Sequence, residues 1–147
     1  MDIVTIILSA AKAAGVSGSL LLAVCSHESG DFKHNYNAFD VNSPSWGSCQ
    51  LKYSTALQLG FKGLPHQLMN PRVNAKYAAL YLKYQQSRYG NDWIKLVAAY
   101  NSGSYNPSRV EGCPRNLKYL KLVQKKLPLD LRGRLDCGIN SEFAGNE

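Results

Sequence analysis

The chain has 147 residues, of which 45% are hydrophobic and 18% charged, so it fits one domain that buries a core, and an intrinsically disordered chain is excluded. Its formal charge of +7, pI near 9.3 and mean hydropathy of −0.26 favour polyanionic partners, among them nucleic acid, anionic membranes and acidic cell wall. Lys and Arg recur singly or in pairs, most densely from Lys118 to Lys126. No run of five or six makes a nucleic-acid tail, so a solvated basic face is expected.

Residues 2–14 carry Ile3, Ile6, Ile7, Ala10, Ala11 and Ala14 at helical spacing, and Gly15 stops the run. Ser17 or Ser19 can cap a second helix through Leu20, Leu21, Leu22, Ala23, Val24 and Cys25. That helix is apolar almost all round and should be buried. Asp2 stands where an export signal would be positive, and Gly15, Ser17, Gly18 and Ser19 interrupt the apolar stretch. Two core helices are therefore expected, with no export signal and no membrane span. Val24 is also too large for the position before a lipid-bearing cysteine.

Residues 31–50, rich in Asp, Asn, Ser, Pro and Gly, read as a loop of about twenty residues, a length commonly kept for function. Tyr53 to Leu59 suggests a short helix closed by Gly60. Asn70 and Pro71 supply a cap and a first-turn proline for a long helix with Val73, Tyr77, Leu80 and Tyr84 inside and Gly90 at its end. Asn91 or Asp92 can cap a helix bearing Trp93, Leu96, Val97 and Tyr100. Pro114 opens another with Leu117, Leu120, Val123 and Leu127 inside, lysines outside, and Pro128 as its stop. No repeat and no strand alternation appear. The fold class is mainly α with an irregular loop lobe: one domain over residues 1–128 and a C-terminal tail, 129–147, packed on it or frayed.

Cys25, Cys49, Cys113 and Cys137 form no C-x₂-C zinc pair. Cys25 reads as a small buried hydrophobe. An even number allows disulfides in three pairings that sequence cannot rank; the expectation is free thiols. His27, His34 and His66 lack the H-E-x-x-H spacing of a zinc enzyme. No metal and no cofactor are expected. No activating environment marks Cys25 or Cys49 as a nucleophile, and no nucleophile elbow or phosphate-binding glycine loop is present.

Glu28 is one of only four glutamates and stands alone at the end of an apolar helix beside a long loop. Partial burial and the negative end of the helix dipole both disfavour its carboxylate, so it is suited to general-acid work. The plain alternative is a surface glutamate at a helix end. Glycoside cleavage often uses a second carboxyl; Asp31 and Asp40 are the near candidates, although turns explain both.

The segment Leu20 to Gly30 (LLLAVCSHESG) resembles the helix and Glu-Ser signature of soluble lytic transglycosylases and goose-type lysozymes. Gly47-Ser48-Cys49-Gln50 resembles the family's Gly-x-x-Gln, Asn70-Pro71-Arg72-Val73-Asn74 its Asn-Pro-x-x-Asn, and Ala99-Tyr100-Asn101-Ser102-Gly103 its Ala-Tyr-Asn-x-Gly. The four motifs keep the family's order over about residues 3–127. The resemblance implies a lysozyme-like α-helical domain with a substrate cleft, and a peptidoglycan lytic transglycosylase. Glu28 would be the catalytic acid. Ser29 would line the cleft, Gln50 would bond sugar, Tyr100 would orient Glu28, and Asn101 would hold the N-acetyl or peptide portion. Gly47 would allow close backbone approach. Asn70 and Asn74 are expected to be structural.

Two departures stand out. Ser48-Cys49 replace the family's Leu-Met before the glutamine, and the stretch from Glu28 to Gln50 is longer, with Tyr36 and Trp46 inserted. Goose-type lysozymes use loop aspartates to position water, so Asp40 would make this chain a hydrolase of the same bond. A glycan-binding or structural virion module without turnover is a further reading. A nucleic-acid binder is disfavoured because no reading helix with clustered Arg or Lys appears. The expected partner is peptidoglycan glycan strands, with no nucleic acid, met by a monomer acting at the bacterial cell wall or periplasm. The basic helix around Lys118 to Lys126 would face solvent or an anionic envelope surface. A signal-less single domain suggests a phage lysin or virion-associated enzyme.

Overall fold

A computed structural model describes residues 1–32, 36–37, 44–107, 113–132 and 135. The chain divides into two compact units, Met1–Tyr84 and Gln85–Glu147, and the architecture is mainly α.

In the first unit, α1 (Ile3–Ala14) starts at Asp2, whose carboxylate accepts the Thr5 amide at 2.8 Å. That bond holds the Asp2 carboxyl below its ordinary range. Gly15, at φ 75°, ends the helix. Of the two serines available, Ser17 caps α2 (Gly18–Glu28) by accepting the Leu20 amide at 3.2 Å. Leu20, Leu21, Ala23, Val24 and Cys25 are all buried, as an all-round apolar helix demands. α2 packs against α1.

The region read as loop holds a small antiparallel sheet: β1 (Tyr36–Asn37), β2 (Ser45–Trp46) and β3 (Leu51–Lys52), in that order. Tyr36 pairs with Trp46, and Trp46 with Leu51. Strands of two residues are too short to show a period of two, so the expectation of no strands is corrected here. α3 (Tyr53–Gln58) comes directly after β3, and a 3-10 turn spans Pro65–Met69. Ala56, Phe61 and Leu68 form a core cluster, with Trp46, Tyr53, Val73 and Tyr77 packed against it. Phe61 meets Tyr77 edge to face at 5.3 Å.

α4 (Pro71–Tyr89) is capped by Asn70, whose side-chain oxygen accepts the Arg72 and Val73 amides at 3.0 and 3.3 Å. Proline in the first turn loses no helical hydrogen bond. The helix continues across the unit boundary.

The second unit contains α5 (Trp93–Ser102), capped by Asp92 and closed by Gly103 at φ 88°. α6 (Leu117–Gln124) packs against it. α6 starts later than expected, because Pro114 is held in a bridge with Pro107 and Asn116 takes the cap position. The start of the C-terminal tail makes one helical turn, α7 (Leu129–Arg132). Its Arg132 donates to the Leu127 and Lys125 carbonyls at 2.8 and 2.9 Å, satisfying acceptors that the end of α6 leaves open.

The expectation of free thiols is corrected as well. Cys25 and Cys49 form a disulfide, Cys113 is also disulfide-bonded, and no cysteine among the described residues is free. Cys137 lies outside the described residues. The Cys25–Cys49 bond closes a chain segment with a sequence separation of 24, which on chain entropy stabilises the fold by about 3.5 kcal/mol. Spacing alone holds no sign of it, because the contact is long-range.

Candidate functional site

Glu28 is the last residue of α2 and is half-buried. Asp2, Asp31, Asp92 and Asp130 are exposed, so among the described acidic side chains Glu28 alone is withdrawn from solvent. Glu28 stands between the half-buried His27 and the fully buried Ser29.

The chain turns tightly just after Glu28. Gly30, Asp31 and Phe32 take φ values of 58°, 59° and 68° in succession. Only the first is a glycine, and the left-handed region costs the other two roughly 1–2 kcal/mol each. Several hydrogen bonds offset that cost. The Asp31 amide donates to the Ser26 carbonyl at 2.8 Å, and the Gly30 amide to that of His27 at 3.3 Å. The Ser26 hydroxyl donates to the Asp31 carboxylate at 2.8 Å. Asp31 is thereby folded back on α2 as a turn residue.

Ser29 has its place in the same turn. Its hydroxyl donates to the Cys25 carbonyl and accepts the Phe32 amide, both at 2.9 Å. The resemblance puts Ser29 on a cleft wall; in the structure it is fully buried, with both bonds used to close the turn.

Gln50 is half-buried and itself sits at φ 51°. Its amide nitrogen donates to the Gly47 carbonyl at 2.8 Å, and the backbone amide of Gln50 reaches the same carbonyl at 3.1 Å. Gly47, at φ 77°, is the hinge of this turn, and a β-carbon there would collide with the Asn74 amide and lie 2.6 Å from the Leu68 carbonyl. The close approach that requires glycine is therefore made by the protein's own Asn74.

The sequence predicts a structural Asn74 without a specific task, and the structure supplies one. Fully buried, it accepts the Cys49 amide at 2.8 Å and donates to the Trp46 and Leu68 carbonyls at 2.7 and 2.9 Å. One side chain thus holds both ends of the turn that presents Gln50. The one available signal is its position four residues after Asn70, on the face that meets the loop.

In the second unit, Tyr100 is buried at 6% exposure, while Asn101 is exposed and accepts from the Asn116 side chain at 2.9 Å. Asn116 also donates to the Ala98 carbonyl at 3.1 Å. Sequence reasoning misses Gln85 and Arg88. Gln85 is 0% exposed and donates to the Ala99 and Gly103 carbonyls at 3.3 and 3.2 Å. Arg88 joins the Gln85 oxygen at 3.0 Å and the Gly103 carbonyl at 2.7 Å. Together they finish the end of α5 that carries Asn101. Nearby, burial first and the Asp92 charge second push the Tyr105 hydroxyl's pKa upward.

Asp40, the candidate second carboxylate, lies outside the described residues. Among the described residues no three His, Cys, Asp or Glu side chains gather as a metal site, and no helix is long and apolar enough to cross a membrane. On α6 and just beyond it, Lys118, Lys125 and Lys126 are exposed and Lys121 is half-buried.

Comparison with known proteins agrees with the mainly α architecture. The family described as transglycosylase SLT domain matches residues 5–123, a span that includes Glu28, Gln50, Asn74, Tyr100 and Asn101. No curated protein sequence gives a significant match. An inactive glutamate-to-glutamine mutant of the lytic transglycosylase Slt from Pseudomonas aeruginosa has a similar structure, with a TM-score of 0.60 and 20% identity. The match covers 87% of this chain and 21% of that one, so this chain spans about a fifth of the larger protein's length and shares the fold of that part. The chain belongs to the transglycosylase SLT domain family.

Proposed function

We propose that this chain is a peptidoglycan lytic transglycosylase that cleaves the bond from N-acetylmuramic acid to N-acetylglucosamine, with Glu28 as its acid and then its base. The observation that carries the reading is the placement of Glu28. It is the one described acidic side chain withdrawn from solvent, at the end of a buried helix and within the family match. The Slt mutant's recorded inactivity after a glutamate-to-glutamine change gives further support.

Glu28 gives its proton to the glycosidic oxygen, and the N-acetylglucosamine leaves as an alcohol. The N-acetyl oxygen of the muramic acid stabilises C1 as the bond breaks. The Glu28 carboxylate then takes the proton of the C6 hydroxyl of the same sugar, whose oxygen closes on C1. The product is a 1,6-anhydro end, and Glu28 regains its proton. The nucleophile belongs to the substrate and is already held near C1, so no second carboxylate has to activate water. Gln50 and Asn101 are the proposed sugar and peptide contacts.

The cystines support action outside a reducing cytosol, at the cell wall or periplasm, because disulfides persist in oxidising compartments. The test is turbidity clearing of isolated sacculi with mass spectrometry of the released fragments. Glu28→Gln should lose at least about a hundredfold in rate, the contribution of general acid–base catalysis, with its circular dichroism unchanged. Anhydro ends support the proposal; reducing ends make the enzyme a hydrolase. An unaltered rate in Glu28→Gln overturns it.

A further inference from the structure

The Cys25–Cys49 disulfide joins the two segments that present Glu28 and Gln50. Cys25 lies one helical turn before Glu28, and Cys49 immediately precedes Gln50. Their α-carbons are 4.1 Å apart. With helical and peptide spacing on either side, the α-carbons of Glu28 and Gln50 are held within about 13 Å of each other. Both cysteines are 0% exposed, so the link sits in packed surroundings.

Each end of the link is fixed a second time. The Cys25 carbonyl accepts both the amide and the hydroxyl of Ser29, at 3.0 and 2.9 Å, in the turn directly after Glu28. The Cys49 amide donates to Asn74 at 2.8 Å, in the turn directly before Gln50. A clamp meant only for stability could join any two distant segments. This one joins the helix that ends at Glu28 to the turn that presents Gln50.

We infer that the Cys25–Cys49 cystine is a positioning element of the reaction, setting the end of α2 against the Gln50 turn so that Glu28 meets the glycosidic oxygen. This rests on the reading of Glu28 as the acid. Catalysis is sensitive to placement: a misplacement of 1 Å costs on the order of a hundredfold in rate. Loss of the link therefore lowers kcat, whereas a link that served only stability leaves kcat of the folded protein unchanged.

The experiment compares the full chain with Cys25→Ala/Cys49→Ala and with Cys25→Ala/Cys49→Met, which refills the space with an apolar side chain but restores no bond. Each is assayed on a soluble glycan-strand substrate, at a temperature where circular dichroism shows it folded. The Ala/Ala protein should lose at least about tenfold in kcat and the Ala/Met protein at least about fivefold, each with KM changed less than about threefold. If the Ala/Ala protein does not fold, the Ala/Met protein carries the same comparison. A folded variant that keeps kcat within about twofold, or that changes only KM, overturns the inference. Glu28→Gln runs in parallel on the disulfide-bonded protein. If it retains turnover, the reading of the acid fails and the positioning role with it. If it is inactive while the cystine variants keep kcat, the positioning role alone fails.

Discussion

Replacing Asn74 by alanine should be among the most damaging single changes in the first unit. It would orphan three backbone groups, the buried Cys49 amide and Leu68 carbonyl and the part-buried Trp46 carbonyl, now bonded at 2.7–2.9 Å. Each unsatisfied buried group costs roughly 1–3 kcal/mol. Some relief comes from water entering the space of the lost amide, so the expected loss is about 3–5 kcal/mol. For a chain of this size each kcal/mol moves Tm by roughly 2–4 °C, which puts the shift at about 6–20 °C. The assay is urea unfolding followed by circular dichroism, with the slope checked for constancy. Asn74→Asp sharpens it: the carboxylate still accepts from Cys49 but turns a negative oxygen towards two carbonyls, and should cost at least as much as alanine. Asn70→Ala, which removes an exposed cap, should cost only about 1 kcal/mol. The reasoning is refuted if Asn74→Ala costs no more than Asn70→Ala, or if Asn74→Asp is neutral.

Two other outcomes rest on the hydrogen bonding. Ser29→Ala strips the Phe32 amide of its acceptor and should lower stability by about 1–2 kcal/mol while KM stays within about twofold; a raised KM with unchanged stability would instead make Ser29 a substrate contact. Gln85→Leu removes bonds to Ala99, Gly103 and Arg88 and should cost about 1–3 kcal/mol, seen as faster amide exchange at the end of α5; unchanged exchange there would contradict the role given to Gln85.

The parts of the fold legible in the sequence are those set by neighbours in the chain. Gly15, Gly60, Gly90 and Gly103 come just after the ends of α1, α3, α4 and α5, all with positive φ, because a helix end is decided within one turn. The buried character of α2 and the cap at Asn70 are legible for the same reason. The features that escape are long-range. Nothing near Cys25 indicates that Cys49 lies against it, and nothing near Asn74 indicates that its amide reaches back to Trp46 and Cys49. The start of α6 is misjudged from sequence because Pro114 is as suited to a bridge as to a first helical turn, and only its pairing with Pro107 decides between them. The candidate site divides along the same line. Glu28 stands out from its own surroundings, whereas the turn presenting Gln50 depends on a helix that begins some twenty residues later.

The left-handed run after Glu28 and the cystine before Gln50 act as two moorings, one at each side of the segment between them. Once both ends are tied, added length in between costs little, since each doubling of a loop is worth only about 0.6 kcal/mol in closure entropy. Insertions and deletions between Phe32 and Pro44 can then accumulate without displacing Glu28. A lineage of such chains would be free to vary that segment in length while Glu28 and Gln50 keep their anchorage.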